Sequence, residues 1–290
     1  MKHAILILTK DITDELIELI RLFDDRFSIY IHIDRKAELD ENKANLLLKL
    51  VGETNVFQEY ETNWGSRNIV SAMLLLCIKA FNNEDNKWFH LISESDYPIV
   101  SNDDFFSIFS NDNVGYLEYF TLPHFQWFDG GFERLRYYHP LDLINIKTEK
   151  GYDEYSRFIE MQKEIGIDRP LLNIQYYGGS NWWSLPRTII EYVVNNVHWN
   201  RLYESLYDTK IPDEIFMQTL LLNSPLKDCI INNNKRFILW QLRNGNYPAY
   251  LDETDYDSII CSNCVFARKI NNDKSFELKE KLRLNRSRLQ

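Results

Sequence analysis

Residues His3–Leu8 form a short, nearly continuous apolar run, the pattern of a strand buried on both faces of a parallel sheet. Asp11–Phe23 follows with Ile12, Leu16, Leu19, Ile20 and Phe23 at helical spacing. Phe27–Ile33 is then a second strand of β-branched and aromatic residues. Strand, helix and strand in this order open an α/β fold with a mostly parallel central sheet flanked by helices. The choice also fixes where chemistry belongs, because such sheets bind ligands beyond the C-terminal ends of their strands.

The rest of the chain continues the theme. Asn55–Phe57 and Trp88–Ile92 read as further strands, with a helix at Asn68–Phe81 between them. Ser93-Glu94-Ser95-Asp96-Tyr97-Pro98 reads as a loop that displays polar groups, since Pro98 biases Tyr97 away from the helical region. Asp103–Ile108 is a short helix and Val114–Phe120 a fifth strand. Residues 121–175 are irregular, with a charged helical stretch around 151–164, and suit one wall of an acceptor cleft. Gly178-Gly179 introduces an extended Trp182-Trp183, then come helices at Arg187–Asn195 and Pro212–Leu222 and a strand at Arg236–Trp240. A last short helix spans Thr254–Cys261 with Thr254 as N-cap. Repeats and linkers are not evident, so residues 1–290 read as a single domain.

A net charge of −10 argues against nucleic acid, which needs a basic surface, but leaves room for a small anion held by a local pair of cations. The four cysteines do not make a disulfide framework. Cys261 and Cys264 have metal-like spacing without a second pair or a nearby histidine, which fits a reducing compartment better than zinc. No signal peptide is evident, and the apolar runs fall short of the ~20 residues needed to span a bilayer. Lys279–Arg288 carries five cations against one acid, with Leu278, Leu282 and Leu289 near helical spacing. This basic tail, about 278–290, either rests on the inner membrane surface or is a frayed, solvated terminus.

Glu214 is the first candidate for chemistry. Pro212 suits the first helical position, which puts Asp213 and Glu214 in the first turn, where the helix dipole favours negative charge by roughly 0.3–1 kcal/mol. That alone explains two acids. The same field weakens a base, so a catalytic role for Glu214 requires partial burial among Ile215, Phe216 and Leu220. Arg268 and Lys269 follow a Val-Phe-Ala strand-like run and are either surface cations or partners for an oxygen-rich diphosphate. One charge pair at ~4 Å and an effective dielectric of 20 is worth about 4 kcal/mol at most. Of Trp182 and Trp183, one faces a cleft if the segment is extended. Glu133, Arg134 and Arg136 form a polar group for sugar hydroxyls or an internal salt-bridge cluster. Asp34, at the end of the second strand, is a nucleotide contact or a turn residue. The Asp-x-Asp that holds a divalent metal against a nucleotide-sugar is missing; Glu94-x-Asp96 is the nearest imitation. Gly-rich phosphate loops are missing too.

Several segments, taken in order, resemble the core-2/I-branching N-acetylglucosaminyltransferase and peptide O-xylosyltransferase family. They are His32-Ile33-Asp34-Arg35-Lys36, Trp64-Gly65-Ser66, the His90–Pro98 segment, Gly179–Leu185, Pro212-Asp213-Glu214, Trp240 and Val265–Lys269. The resemblance implies a GT-A-like fold and an inverting transfer without a resident divalent metal or other cofactor. It implies Glu214 as base and Lys269 as the cation on the UDP diphosphate, beside Arg268. Asp34 would contact the nucleotide, and Asp96, Trp182, Trp183 and Trp240 would line the substrate side. The family's second diphosphate cation has no clean counterpart; Arg243 is nearest and Arg236 the fallback. The expected partners are a UDP-sugar donor and a glycan or lipid-linked acceptor, in a small bacterial cytoplasmic member of the family. Two other readings remain: a binding protein with a dead transfer site, and a metal-dependent transferase using Glu94 and Asp96.

Overall fold

The N-terminal strand lies inside the main sheet, as its two-sided apolar run requires. In a computed structural model that describes residues 1–196 and 198–288, twelve strands form three sheets. They are β1 (Lys2–Thr9), β2 (Phe27–Ile33), β3 (Val56–Phe57), β4 (Asn86–Ser93), β5 (Tyr97–Pro98), β6 (Gly115–Leu117), β7 (Phe120–Thr121), β8 (Tyr177–Gly178), β9 (Trp183–Pro186), β10 (Ile230–Ile231), β11 (Arg236–Ile238) and β12 (Phe266–Arg268). The seven-stranded sheet has the order β10-β6-β9-β4-β1-β2-β3. All its pairings are parallel except those of β9, which runs antiparallel to β4 and β6.

Alternation along β1 assigns the two faces. Ala4 and Leu6 pack with the helices Arg67–Phe81, Arg187–Asn195 and Phe216–Leu222, whereas Ile5 and Ile7 pack with Asp14–Ile20 and Asn102–Ile108. The α/β class and the mostly parallel, helix-flanked sheet are therefore as expected.

Several boundaries differ, each for a local reason. Tyr97-Pro98 is not simply loop: it pairs with Phe266 and Ala267 of β12, in a small sheet completed by β11. The expected strand Val114–Phe120 divides between the main sheet and the β7–β8 ribbon. The expected helix from Pro212 is a 3₁₀ turn, Pro212–Glu214, separated from the helix Phe216–Leu222 by Ile215 at φ −125°. The strand from Arg236 stops at Ile238, which leaves Trp240 outside it. Asp252, not Thr254, caps the turn before Tyr256–Ile260, because Asp255 completes a capping box with it. Glu41–Val51 and His198–Ser205 are helices with no counterpart in the sequence reading.

The basic tail is a docked helix rather than a frayed, solvated one. Phe276–Arg288 buries Leu278 and Leu282 against Tyr97, Leu251, Ile259 and Ile270. Arg286 donates to Pro98 O at 3.0 Å and Leu22 O at 2.9 Å. Leu289 lies outside the described residues. Among them no helix is long and apolar enough to cross a membrane. Leu282→Ala should cost about 2–5 kcal/mol in urea unfolding, as a filled core position does. An unchanged midpoint would return the helix to the solvated reading.

Candidate active site

Parallel β1, β2 and β4 end on one edge at Thr9, Ile33 and Ser93, and the antiparallel β9 begins there at Trp183. Its register with Leu117 brings the end of β6 to the same edge. Asp34, Glu94, Asp96, Glu118, Asn181 and Trp182 therefore converge by topology alone. A cleft of about 750 Å³ at the opposite edge, lined by Lys2, Asp24, Ser28 and Asn55 among others, contains none of the candidate residues.

Glu214 reaches this edge through a constrained turn. Gly65 O accepts the Ile211 N–H at 2.9 Å. Gly65 has φ +76°, and a Cβ there would meet Ile211 Cγ1 at 3.1 Å and Leu141 Cδ1 at 3.3 Å, so glycine is what permits the approach. Ile211 itself is left-handed at φ 53°. Beyond it, Glu214 O accepts the Gly179 N–H at 3.0 Å, locking the turn to the Gly179–Trp183 segment.

The Glu214 side chain is 27% exposed and its Oε2 accepts from Arg134 Nη1 at 2.8 Å. Arg134 lies over the Trp127 ring, 3.5 Å from its centroid. Burial pushes the Glu214 carboxyl above its ordinary value, and the charge and hydrogen bond of Arg134 only partly offset this. The expected dipole effect does not prevail, since the turn is kinked away from the helix Phe216–Leu222 and burial acts directly. Asp213 is buried, accepts from Asn181 Nδ2 at 2.9 Å, and is pushed up to about 7 by burial and then by the Glu214 charge. Glu118 is raised by burial and by Glu214 as well, and accepts from Asn234 at 2.6 Å. Three acids thus share one half-dry corner. The sequence reading missed Glu118, Asn181, Trp127 and the burial of Asp213; only Asn181, inside Ser180-Asn181-Trp182-Trp183, carried a motif signal.

The cations divide sharply. Arg268 is buried, pairs with Asp96 Oδ2 at 2.7 Å and lies 4.0 Å from the Trp182 centroid. Lys269, next to it, is half-buried and among the described residues makes no side-chain hydrogen bond or ion pair. Burial and then the Arg268 charge hold its ammonium below the usual lysine range, against the pull of Glu94 and Asp96. Arg236 is a poor fallback cation: it is enclosed, donating to Leu91 O at 3.0 Å, Trp183 O at 2.8 Å and Ser184 Oγ at 2.9 Å. Arg243 is drawn aside by Asp255 and by Asp252 at 3.8 Å.

The remaining candidates are placed as follows. Asp34 is buried, and although desolvation raises it, the Lys36 N–H and ammonium hold it below the ordinary carboxylate range. Asp96 faces Arg268 and Ser93 rather than open space, though its buried Oδ1 has no partner. Trp183 is fully buried and so lines the core, not a substrate; Trp182 is the indole that reaches the edge. Trp240 is 54% exposed with Tyr247 at 5.9 Å. Glu133, Arg134 and Arg136 do not act as one group, because Glu133 faces Lys210 at 3.7 Å and Arg136 turns outward to Asp129 at 3.4 Å.

The strand-end edge thus combines a half-dry carboxylate, a lysine with no partner among the described residues and the Trp182 indole, a set suited to a polar, negatively charged ligand. The family model described as Core-2/I-Branching enzyme matches residues 4–259, and the chain belongs to that family. Arg268 and Lys269 lie beyond the matched stretch. Over 275 residues the chain is 21% identical to Beta-glucuronosyltransferase GlcAT14A of Arabidopsis thaliana, covering 88% of this chain. Over 235 residues it is 25% identical to Xylosyltransferase 1 of Canis lupus familiaris, covering 78%. The chain spans only 57% and 23% of those two proteins. Among solved structures, mouse Xyloside xylosyltransferase 1 aligns with a TM-score of 0.38 and 10% identity, over 79% of this chain and 84% of that one.

Asp213 supplies a pH test. The folded state keeps a proton that the unfolded chain loses above pH 3.8, so the stability it lends is full below that pH and is lost as the pH rises toward about 7. Asp213→Asn should flatten the fall in urea midpoint over that window. A curve parallel to wild type would mean that Asp213 ionises normally.

Proposed function

We propose that the protein transfers a sugar from a UDP-sugar to a hydroxyl of a glycan or lipid-linked saccharide, inverting the anomeric centre in a single displacement. Glu214 carries this reading. Arg134 holds its Oε2, its Oε1 has no hydrogen bond among the described residues, and burial raises its basicity while a quarter of the side chain stays accessible. In the reaction, Glu214 takes the proton of the acceptor hydroxyl as that oxygen bonds to C1 of an α-linked donor. The C1–O bond to the diphosphate breaks, UDP leaves, and a β-linkage forms. Lys269, which has no ion-pair partner among the described residues, gains most as negative charge grows on the departing diphosphate. Asp34 faces the nucleoside, and Trp240 with Tyr247 offers a stacking surface to the acceptor.

N-acetylglucosamine and xylose are the donor sugars we favour. The plant relative is named a glucuronosyltransferase, which adds glucuronic acid to the set worth testing. The proposed transfer proceeds without a divalent metal, its charge being met by protein cations. A cytoplasmic setting, building capsular or lipid-linked glycans, goes with this reading. One observation favours a second reading: pairing with Arg134 weakens Glu214 as a base, as suits a protein that binds UDP-sugars without transferring them.

Glu214→Gln should retain donor binding and lose at least about 100-fold in turnover, the lower end of what a general base contributes. Wild-type turnover in that variant would remove Glu214 from the mechanism. A panel of UDP-sugars screened for protection against thermal unfolding should give one preferred donor whose effect is unchanged by EDTA. Loss of protection in EDTA would favour metal-dependent binding through Glu94 and Asp96. Binding with neither transfer nor slow donor hydrolysis would favour the non-catalytic reading.

A further inference from the structure

A UDP-sugar carries its diphosphate between nucleoside and sugar, so the strip between Asp34 and Glu214 must receive two phosphates. The Asn63–Gly65 turn builds that strip. Lys36 bridges Asp34 Oδ2 at 3.2 Å and Asn63 Oδ1 at 2.8 Å, tying the turn to the end of β2. Gly65 O, holding the Ile211 N–H, ties it to the Glu214 turn. The 139–148 segment is anchored on the same turn. Asn63 Nδ2 donates to Leu141 O at 2.9 Å, and Asp142 Oδ1 accepts the Asn68 N–H at 3.0 Å. A little further on, this segment lays the Lys147 ammonium over the Trp64 indole, 4.4 Å from the ring centroid.

We propose that Lys147, seated on Trp64, is the second cation for the donor's diphosphate and acts together with Lys269. The inference rests on the UDP-sugar reading above and supplies what Arg236 and Arg243, occupied elsewhere, do not. Lys147 and Lys269 both lack an ion-pair partner among the described residues, in a chain with 43 acids. The two ammoniums are near enough to interact: after burial and Arg268, Lys147 is among the charges that push the Lys269 ammonium down. Like charges held together without an anion repel, and a diphosphate between them converts repulsion into attraction. Trp64 serves as the seat, since an indole face holds an ammonium while leaving its outer hydrogens free to bond oxygen. The Glu94 charge also acts on Lys269, and burial raises the Glu94 carboxyl above its ordinary range.

The test is calorimetric titration of the full chain with UDP and with uridine, at low and high salt. Lys147→Ala changes an exposed side chain and leaves the core untouched. It should weaken UDP binding about tenfold at low salt, leave uridine unchanged, and lose most of its effect at high salt. Lys147→Arg should recover most of the affinity, and Trp64→Leu should reproduce part of the loss. Equal UDP affinity in wild type and Lys147→Ala, with Lys269→Ala weakened, overturns the role of Lys147 and leaves the transfer reading standing. A wild-type protein that binds neither UDP nor any UDP-sugar overturns that reading and this inference with it.

Discussion

The ion pair between Asp96 and Arg268 is the contact on which the rest of the candidate site is hung. Both side chains are almost wholly enclosed, at 0% and 6% exposure, and Asp96 also accepts the Ser93 N–H at 2.8 Å and the Ser93 hydroxyl at 2.9 Å. The pair joins the loop after β4 to β12, and Trp182 packs on its guanidinium. Removing one partner would leave a buried charge alone, at a cost of about 3–5 kcal/mol. Arg236 repeats the device nearby, tying Leu91 and Trp183 to β11, and Arg286 holds Pro98 from the C-terminal helix. One loop is thus fixed from several sides. Lys269 emerges beside it as a lysine without a partner among the described residues, because its neighbour has taken the Asp96 carboxylate.

The acid side follows a different logic. Glu118, Asp213 and Glu214 are crowded into a corner with one arginine: burial raises all three, the Glu214 charge raises Glu118 and Asp213 further, and Arg134 opposes the rise at Asp213 and at Glu214, with which it also hydrogen-bonds. Asp213 is pushed up to about 7 beside Glu214, whose carboxyl accepts from Arg134, so environment sets chemically similar groups apart. Two backbone contacts, Gly65 to Ile211 and Gly179 to Glu214, fix where that corner sits.

Long buried elements were legible in the sequence and contacts between distant segments were not. Phe27–Ile33 and Arg187–Asn195 fall where periodicity puts them, because burial on a sheet or helix face leaves a direct imprint on residue order. Glu41–Val51 escaped notice because it buries only Leu47 fully, leaving a weak apolar stripe. The motifs led to Glu214, Lys269 and Trp182. They could not say that Arg236 would be consumed by carbonyls, that Trp183 would be core, or that Arg134 would swing to Glu214. Those outcomes depend on partners roughly 50 to 150 residues away. The basic tail misled for a related reason: its leucines are spaced for docking, but the sequence does not say against what.

We propose that this edge of the sheet carries out an inverting transfer from a UDP-sugar. Proton NMR of a reaction started from an α-linked UDP-sugar and a saccharide acceptor reads this directly through the anomeric coupling of the newly transferred residue. The expected result is a large coupling from the first turnover, the mark of a β-linked gluco- or xylo-configured product, with UDP released in equal amount. A product that begins α-linked would contradict single displacement and the role of Glu214 as base.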